Sequence, residues 1–261
     1  MDVGTVEGEK FVFSASGRCC ICGQPTVFRA ERGNEIPLRW YKHWFRGDLK
    51  CTRCGSIPRE RALFTVIERL YPMWRGLRIH ESSPVYRGVS KKFQDECATY
   101  IRSQYDPDLG FGLVHPTRKY HSQDLESQTF DNASFDIVIT QDVFEHLFAP
   151  DRAIQEISRT LVPGGAHIMT VPLVKGIEPS VRRACLRDGK IEHMLPAQYH
   201  GNPMSSEGSL VTIDWGYDIL DYLAFHSGMA ISHIQIDDLS QGISAVYCDV
   251  IVCKKVMPIA V

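Results

Sequence analysis

The 261-residue sequence contains no apolar run of about 18 residues, so we expect no transmembrane helix and no membrane partner. Its first ten residues, MDVGTVEGEK, are acidic and hold no apolar run, so we expect no secretory signal. The net charge is only −2, and no internal repeat is present. With 44% hydrophobic residues the composition excludes a disordered or collagen-like chain. We therefore expect one large globular domain, or a domain of about 200 residues with a small module.

The two parts of the chain differ in charge. Residues 1–75 contain 13 Lys and Arg against 8 Asp and Glu, whereas the remainder contains 16 against 23. This difference indicates two modules, and a basic front suits an anionic partner. A surplus of five positive charges is also ordinary for a solvated surface, so both interpretations stay open.

Nine cysteines without an expected signal peptide indicate reduced thiols in a cytoplasm. Four of them form two C-x2-C pairs, Cys19 with Cys22 and Cys51 with Cys54, and a glycine follows each pair. Each pair can place two sulfurs on one tetrahedral ion. We predict one structural zinc ion per chain, because four protein ligands leave no position open for catalysis. Unrelated thiols, and iron–sulfur or redox chemistry, are the alternatives.

An aromatic and basic stretch lies between the two cysteine pairs. It runs from Arg39 to Arg46 and contains Trp40, Trp44 and Phe45. Such a stretch suits a nucleic acid or an acidic substrate. It also suits the core of a small zinc module that has few other apolar residues. We favour the core interpretation, and nucleic acid is the less favoured partner.

Strands alternate with helices in the rest of the chain. The run at 135–140 is a largely apolar strand, typical of one buried on both faces. A helix with apolar residues at helical spacing follows at 151–161, and a second buried strand follows at 166–172. This alternation predicts a mostly parallel sheet covered by helices. Residues 174–213, in contrast, are predicted to be a long polar insertion without clear secondary structure.

The run FDIVITQDVFEHLFAPDRAIQEISRTLVPGGAHIMTVP, which starts at Phe135, resembles the class I methyltransferases that use S-adenosylmethionine (SAM). It looks like the fourth strand, the following helix and the fifth strand of the methyltransferase type 11-like family. The resemblance implies an α/β fold with a Rossmann-like seven-stranded sheet at 61–261. A four-cysteine zinc-knuckle module at 1–60 would precede it, which is similar to a bacterial subgroup of the family. SAM and zinc are the cofactors that this interpretation implies.

The resemblance also indicates where SAM would lie. Ligands of open parallel sheets bind beyond the carboxyl ends of the strands, where the strand order reverses. The loop after the family's third strand supplies an acidic residue near the adenine, and the end of the fourth strand lies beneath the methionine half. The implied cofactor-binding residues are Glu81, Ser82, Ser83, Gln104, Tyr105, Asp124, Leu125, Gln141 and Asp142.

The sequence departs from the family pattern at two places. The family's first strand ends in an acid and a glycine-rich turn, E/D-x-G-x-G, whereas here Glu81 precedes Ser-Ser-Pro at 82–84. The family's second strand ends in a carboxylate that binds the ribose. Gln104 stands there and carries no charge, and Asp106 would serve only in a shifted register.

Three histidines are candidate general bases: His146, His193 and His200. Methyl transfer is an in-line displacement from a sulfonium, and a base can remove the proton of the acceptor. His193 and His200 lie in the insertion at 174–213, which in this superfamily often covers the acceptor pocket. Long loops without clear secondary structure are more often functional than idle. An ordinary hydrogen-bonded side chain is the alternative for each histidine.

These observations predict a cytoplasmic SAM-dependent methyltransferase that acts on a small-molecule or glycan-type acceptor. One alternative is a zinc-containing RNA- or protein-binding module with a catalytically silent methyltransferase-like domain. Another is a methyltransferase that acts on RNA or protein. Neither the acceptor nor the oligomeric state follows from the sequence.

Overall fold

The computed structural model describes residues 5–7, 10–33, 41–202 and 204–257. The chain divides into two compact units, each built from separate segments of the sequence. The first unit comprises Met1–Arg75, Tyr86–Ala98 and Ile234–Val250, and the second comprises Gly76–Val85, Thr99–His233 and Ile251–Val261. The domain boundary predicted at residue 60 stays a prediction.

The first unit contains an antiparallel sheet and three α-helices in its described residues. In chain order its elements are β1 (Thr5–Glu7), β2 (Lys10–Arg18), β3 (Pro25–Gly33), α1 (Tyr41–Asp48), β4 (Lys50–Cys51), α2 (Pro58–Leu70) and α3 (Gly88–Glu96). The four strands follow the order β1-β2-β3-β4, and each neighbouring pair is antiparallel. Each of the two C-x2-C pairs thus lies at an end of a strand, where the chain turns.

Aromatic side chains form part of the core of the first unit. Trp44 and Phe45 on α1 are buried. Their rings contact those of Phe11 and Phe13 on β2, with centroids 5.6 Å and 4.5 Å apart. The core interpretation of the aromatic and basic stretch is therefore confirmed for Trp44 and Phe45. Its first two residues, at 39–40, lie outside the described residues.

The second unit is built around a seven-stranded mixed sheet. Its elements are β5 (Ile79–Ser82), β6 (Tyr100–Gln104), β7 (His121–Ser122), β8 (Phe135–Gln141), α4 (Pro150–Thr160), β9 (Leu161–Thr170), β10 (Val181–Arg182), β11 (Ala184–Arg187), β12 (Lys190–His193), β13 (Tyr199–Asn202), β14 (Ser205–Leu210), β15 (Ile213–Asp214), α5 (Ile219–Ser227), β16 (Ala230–Ile234) and β17 (Val250–Lys254). The strand order in the sheet is β16-β17-β9-β8-β5-β6-β7. Strands β5 to β9 pair in parallel, and β17 is antiparallel to β9. The predicted Rossmann-like seven-stranded α/β sheet is confirmed.

The apolar faces of α4 and α5 pack on the centre of this sheet. Ile154 and Ile157 of α4 and Leu223 of α5 are fully buried, in one cluster with Val138 of β8 and Met169 of β9. This is why β8 and β9 are apolar along most of their length. None of the helices in the described ranges combines the length and the apolar character needed to cross a bilayer.

The insertion at 174–213 is built from short paired strands, which corrects the prediction that it lacks clear secondary structure. Strands β11 and β12 form one antiparallel pair, β13 and β14 form another, and β10 pairs with β15. The turn between β11 and β12 consists of Asp188 and Gly189, with φ values of 51° and 73°. Two residues in the left-handed region are typical of a type I′ hairpin, for which Asp-Gly is a preferred sequence.

Candidate functional site

Strands β5, β6 and β8 lie side by side, and their register pairs Ser82 with both Ser103 and Thr140. The order of the chain reverses at β5, because β6 and β7 follow on one side of it and β8 and β9 on the other. Open α/β sheets bind ligands beyond the carboxyl ends of the strands at such a switch point. The residues that end or follow β5, β6, β7 and β8 are therefore the candidate cofactor site.

Glu81 is a fully buried carboxylate near the end of β5. The hydroxyl of Tyr100 donates a hydrogen bond to its Oε2 at 2.7 Å, and Nε2 of Gln141 donates to its Oε1 at 2.8 Å. Two residues that the resemblance implies for the cofactor, Glu81 and Gln141, are thus in direct contact. Their hydrogen bond joins the carboxyl ends of β5 and β8.

Ser83 follows β5 in a backbone conformation that favours glycine. Its φ is +56°, and its amide donates to the carbonyl oxygen of Ser103 at 2.8 Å. A left-handed backbone strains any residue with a Cβ, at a cost of about 1–2 kcal/mol. In the register that the resemblance implies, Ser83 stands at the first glycine of the E/D-x-G-x-G pattern. The turn after β5 has a backbone that glycine would adopt readily, and Ser82 before it is buried.

Gln104 at the end of β6 is largely buried and faces this turn. Its Nε2 donates to the carbonyl oxygen of Pro84 at 3.1 Å. Asp106, the alternative ribose carboxylate, accepts the hydroxyl of Tyr120 at 2.5 Å. The structure therefore places Gln104, rather than Asp106, against the turn after β5.

Asp124 and Leu125 lie in the turn that follows β7. Oδ1 of Asp124 accepts the amide of Glu126 at 2.8 Å, and Leu125 is buried. Burial raises the pKa of Tyr105, and the carboxylates of Asp124 and Glu126 raise it further. Tyr105 and Asp124, both implied by the resemblance, are thus near enough to interact electrostatically. Tyr105 is 60% exposed, so its ring is accessible to a ligand.

Asp142 follows β8 with a φ of +53° and is fixed to β9. Its amide donates to the carbonyl oxygen of Thr170 at 2.9 Å, and its Oδ1 accepts the hydroxyl of Thr170 at 3.3 Å. Two non-glycine residues with left-handed backbones, Ser83 and Asp142, therefore follow the adjacent strands β5 and β8. Such conformations persist only where the surroundings determine them, and they are common at ligand sites.

Two of the three predicted histidines come together beside a buried glutamate. Nε2 of His146 is 3.7 Å, and Nδ1 of His200 3.6 Å, from Oε1 of Glu145. The two imidazole rings are nearly perpendicular, with centroids 5.1 Å apart. We call Glu145, His146 and His200 the Glu–His–His cluster. His146 lies in a short 3-10 turn after β8, and His200 lies on β13 of the insertion.

His193 lies apart from this cluster. It is exposed on β12, in the hairpin where it pairs with Ala184. Sequence reasoning did not single out the side chain of Glu145. One feature of the sequence could have indicated it. Glu145 is a charged residue that directly follows the apolar pair Val143-Phe144 and directly precedes a candidate histidine.

The four cysteines of the two C-x2-C pairs come together in the first unit. Their sulfurs all lie within 4.8 Å of one another. Sγ of Cys19 is 3.7 Å from that of Cys54, and Sγ of Cys22 is 4.0 Å from that of Cys51. Sulfurs bound to one zinc at about 2.3 Å in a tetrahedron are about 3.8 Å apart, whereas a disulfide bond measures about 2.05 Å. The two shorter separations are therefore close to those of sulfurs that share one metal ion.

Each cysteine pair is closed by the same backbone hydrogen bond. The amide of Gly23 donates to the carbonyl oxygen of Cys19 at 2.8 Å, and that of Gly55 to Cys51 at 2.9 Å. Both glycines are left-handed, with φ values of 69° and 70°. This backbone is the physical reason for a glycine after each pair.

A fully buried arginine, Arg61 on α2, lies beside the cysteines. Its Nη2 donates to the carbonyl oxygens of Leu49 (2.8 Å) and Gly242 (2.6 Å). Its Nη1 donates to Oγ of Ser56 at 3.1 Å, and that oxygen is 3.2 Å from Sγ of Cys54. Burial lowers the pKa of Arg61, and the nearby thiolates oppose this by favouring its charge. Sequence reasoning missed Arg61, because nothing in its pattern separates it from a surface arginine of α2.

Part of the second unit matches a known family. Residues 100–169 match the family model described as "Methyltransferase domain". The matched segment begins at β6 and ends within β9. It includes Gln104, Asp124, Gln141 and the Glu145-His146 pair, and it does not include the turn after β5.

Two solved methyltransferase-related structures are similar to this chain. A chain of the Haloferax volcanii complex that contains the Trm112 methyltransferase activator aligns with a TM-score of 0.51 and 13% identity, over 78% of this chain and 92% of that chain. An S-adenosylmethionine dependent methyltransferase from Mesorhizobium loti aligns with a TM-score of 0.49 and 13% identity, over 74% of this chain and 97% of that chain. At this identity the first alignment shows the fold alone, which is the Rossmann-like methyltransferase fold.

Proposed function

We propose that this chain is a SAM-dependent methyltransferase. The observation that carries the proposal is the turn after β5, where Ser83 keeps a left-handed backbone beside the buried Glu81. This turn lies at the switch point of the sheet, where cofactors of this fold class bind. The match of residues 100–169 to a methyltransferase domain supports the proposal independently.

The residues around this turn fit SAM, which supplies an electrophilic methyl group on a sulfonium. The turn at Ser83 would let the backbone approach the methionine half, above Gln141 and Asp142. The Asp124-Leu125 turn would lie at the adenine. Nε2 of Gln104 already donates to the carbonyl oxygen of Pro84. The side-chain oxygen Oε1 of Gln104 is therefore the atom that would accept a hydrogen bond from a ribose hydroxyl. A neutral amide would thus take the place of the family's carboxylate.

Calorimetric titration with SAM and S-adenosylhomocysteine tests the cofactor. We expect a dissociation constant in the micromolar range, which corresponds to about −8 kcal/mol. The Gln104→Ala variant should bind more weakly, because one hydrogen bond to the ribose is lost. A protein that stays folded and shows no binding at millimolar ligand would contradict the proposal. It would favour the binding module with a silent methyltransferase-like domain.

We further propose a small-molecule or glycan-type acceptor. The insertion supports this proposal, because its β13 places His200 next to His146 and Glu145, which follow the carboxyl end of β8. An acceptor held there would be near the methionine half of SAM. The burial of Trp44 and Phe45 removes two of the aromatic rings on which a nucleic acid would stack.

RNA binding at low salt distinguishes this acceptor from the alternatives. Phosphate contacts release counterions, so affinity for RNA falls steeply as salt rises. We expect no RNA binding even at low salt. Salt-dependent binding in the micromolar range or tighter would favour the methyltransferase that acts on RNA.

We also propose that Cys19, Cys22, Cys51 and Cys54 bind one structural zinc ion. Their sulfur spacing supports this assignment, as do the two glycine-closed turns. We expect one zinc per chain to survive gel filtration in metal-free buffer, because four thiolates bind zinc tightly. The double variant Cys51→Ser, Cys54→Ser should lose this zinc and destabilise the first unit, and Cys97→Ser is the control outside the cluster. A folded double variant with undiminished zinc would refute the assignment.

A further inference from the structure

The carboxylate of Glu145 is buried without a hydrogen-bond partner among the described residues. The residue is only 1% exposed, and neither Oε1 nor Oε2 accepts a hydrogen bond there. An ionised carboxylate without hydrogen bonds or a counter-charge is strongly disfavoured in the interior of a protein. A positively charged group placed against the carboxylate of Glu145 would remove this penalty.

The two imidazoles that face Glu145 are at the wrong distance for hydrogen bonds. Nε2 of His146 and Nδ1 of His200 lie 3.7 Å and 3.6 Å from Oε1 of Glu145, beyond the usual hydrogen-bond range of about 2.7–3.2 Å. Ligand atoms bound to one tetrahedral ion at about 2.0–2.2 Å are about 3.3–3.6 Å apart. All three ligand atoms lie within 4.8 Å of one another, so a small movement suffices to bring them onto a common ion.

The tautomer of His146 suits a metal ligand. Its Nδ1 is 2.8 Å from the carbonyl oxygen of Leu210, which can only accept a hydrogen bond. In the neutral ring the proton is therefore on Nδ1, and the lone pair is on Nε2, the atom that faces Glu145. A ligating histidine usually donates its other ring N–H in this manner, which fixes the orientation of the ring.

The backbone holds the two halves of the cluster together. The carbonyl oxygen of Glu145 accepts the amide of Thr212 at 2.7 Å, so the turn after β8 is tied to the end of the insertion. On β14, Gly208 lies against β13, and a Cβ added to it would be 2.5 Å from the carbonyl oxygen of His200. The close packing of β13 on β14 thus sets the position of His200.

We propose that Glu145, His146 and His200 bind a divalent transition-metal ion. Two imidazole nitrogens and one carboxylate oxygen suit zinc, iron or cobalt better than magnesium or calcium, which prefer oxygen ligands. Three protein ligands leave a coordination position open, unlike the four cysteines of the first unit. An acceptor with a hydroxyl or carboxylate oxygen would take that position. This use of the ion rests on the proposed methyl transfer, but the binding of the ion does not.

Cobalt titration of the full chain tests the proposal. Protein that carries one zinc per chain is freed of loosely bound metal by gel filtration in metal-free buffer and is then titrated with Co²⁺, with visible absorption and calorimetry as readouts. We expect one additional equivalent to bind, with d–d bands and without the thiolate charge transfer that cobalt at the cysteines would show. Zn²⁺ should compete for the same equivalent, and bound metal should raise the melting temperature.

Four variants make the test specific. His200→Ala should weaken Co²⁺ binding at least about 100-fold, because even residues that only orient a ligand contribute about 10- to 100-fold. Glu145→Gln should do the same, whereas His193→Ala on the neighbouring hairpin should bind Co²⁺ like the unmodified chain. Gly208→Ala, which displaces the backbone at His200, should weaken binding without removing a ligand.

Two results would overturn the proposal: no Co²⁺ or Zn²⁺ binding at millimolar metal, or undiminished binding by a folded His200→Ala variant. His200 lies on the insertion and is partly exposed, so its variant is expected to fold. SAM binding is measured on the same samples. Metal binding without SAM binding would leave the metal site standing and remove the proposed methyl transfer.

Discussion

The amide of Ser83 donates a hydrogen bond to the carbonyl oxygen of Ser103 at 2.8 Å, and this bond helps to hold Ser83 at a φ of +56°. The bond connects the turn after β5 to the parallel strand β6. Because the surrounding structure keeps a serine in a conformation that favours glycine, we infer that this backbone is needed at the site.

Replacing Ser83 by glycine should therefore stabilise the protein. The change relieves about 1–2 kcal/mol of left-handed strain, and the greater freedom of glycine in the unfolded chain offsets about 0.4–1 kcal/mol of this. We expect an increase of up to about 1.6 kcal/mol in the free energy of unfolding, measured in urea, with SAM affinity retained. Ser83→Val is the variant with the opposite expected effect, because a β-branched side chain at this left-handed position increases the backbone strain. It should lower both stability and SAM affinity. A destabilised Ser83→Gly variant would show that the hydroxyl, and not the backbone, matters.

Replacing His200 by alanine should slow methyl transfer while SAM still binds. As a base or as a metal ligand, His200 would act on the acceptor, so its loss should lower the rate by about 100-fold or more. The measurement is the turnover of the first acceptor identified, with calorimetry of SAM on the same variant. His226→Ala on α5, outside the cluster, is the control. Adding Co²⁺ to protein that holds only the zinc of the cysteines separates the two roles, since a base acts without the added ion and a metal ligand does not.

Much of the sheet could be predicted from local sequence. The apolar run at 135–140 and the helical spacing after it are local signals, and both correspond to elements of the structure, β8 and α4. The hairpin at Asp188-Gly189 also carries a local signal, because Asp-Gly favours a type I′ turn. The insertion is largely polar, so its strands lack the apolar alternation that would identify them as a hairpin on either side of this turn.

The arrangement of the site could be predicted only in part. The strand ends place Glu81 and Gln141 near each other, and the structure joins them by a hydrogen bond. The approach of His200 to Glu145 depends on the register of β13 on β14 and on how the insertion folds back. No local pattern encodes such a long-range contact. The left-handed backbone of Ser83 was equally hidden, because serine rarely adopts it.

Replacing Arg61 by methionine should destabilise the first unit. Its guanidinium is fully buried and donates to the carbonyl oxygens of Leu49 and Gly242. Methionine fills similar space but leaves these acceptors without their donor, which costs about 1–3 kcal/mol for each buried group. The positive charge of Arg61 also favours thiolates at the cysteines, so zinc affinity should fall. Thermal unfolding and competition with a zinc chelator measure the two effects. Arg69→Met, at the exposed end of the same helix, is the control, and equal behaviour of the two variants would exclude a special role for Arg61.

Two buried histidines of the sheet, His80 and His167, should make the protein sensitive to acid. Burial lowers the pKa of each to about 3, from the ordinary value of about 6.5. Nε2 of His80 shares a hydrogen bond with Oγ of Ser103 (2.8 Å), and Nε2 of His167 shares one with Oγ1 of Thr140 (2.9 Å). Both rings are therefore neutral in the folded protein near neutral pH.

The sign of the effect follows from the protons bound in each state. Between pH 3 and pH 6.5 the unfolded chain binds protons at these histidines and the folded chain does not. The stabilisation is complete above about pH 6.5 and is lost as the pH falls toward 3, by up to about 1.4 kcal/mol per pH unit for each histidine. The free energy of unfolding, measured in urea from pH 7 to pH 4, should thus fall less steeply in His167→Gln, which keeps a donor for Thr140. Any loss of zinc in acid affects the unmodified chain and His167→Gln equally, so it does not contribute to the difference between their slopes. His226→Gln is the control. An unchanged slope in His167→Gln would mean that His167 is protonated in the folded protein.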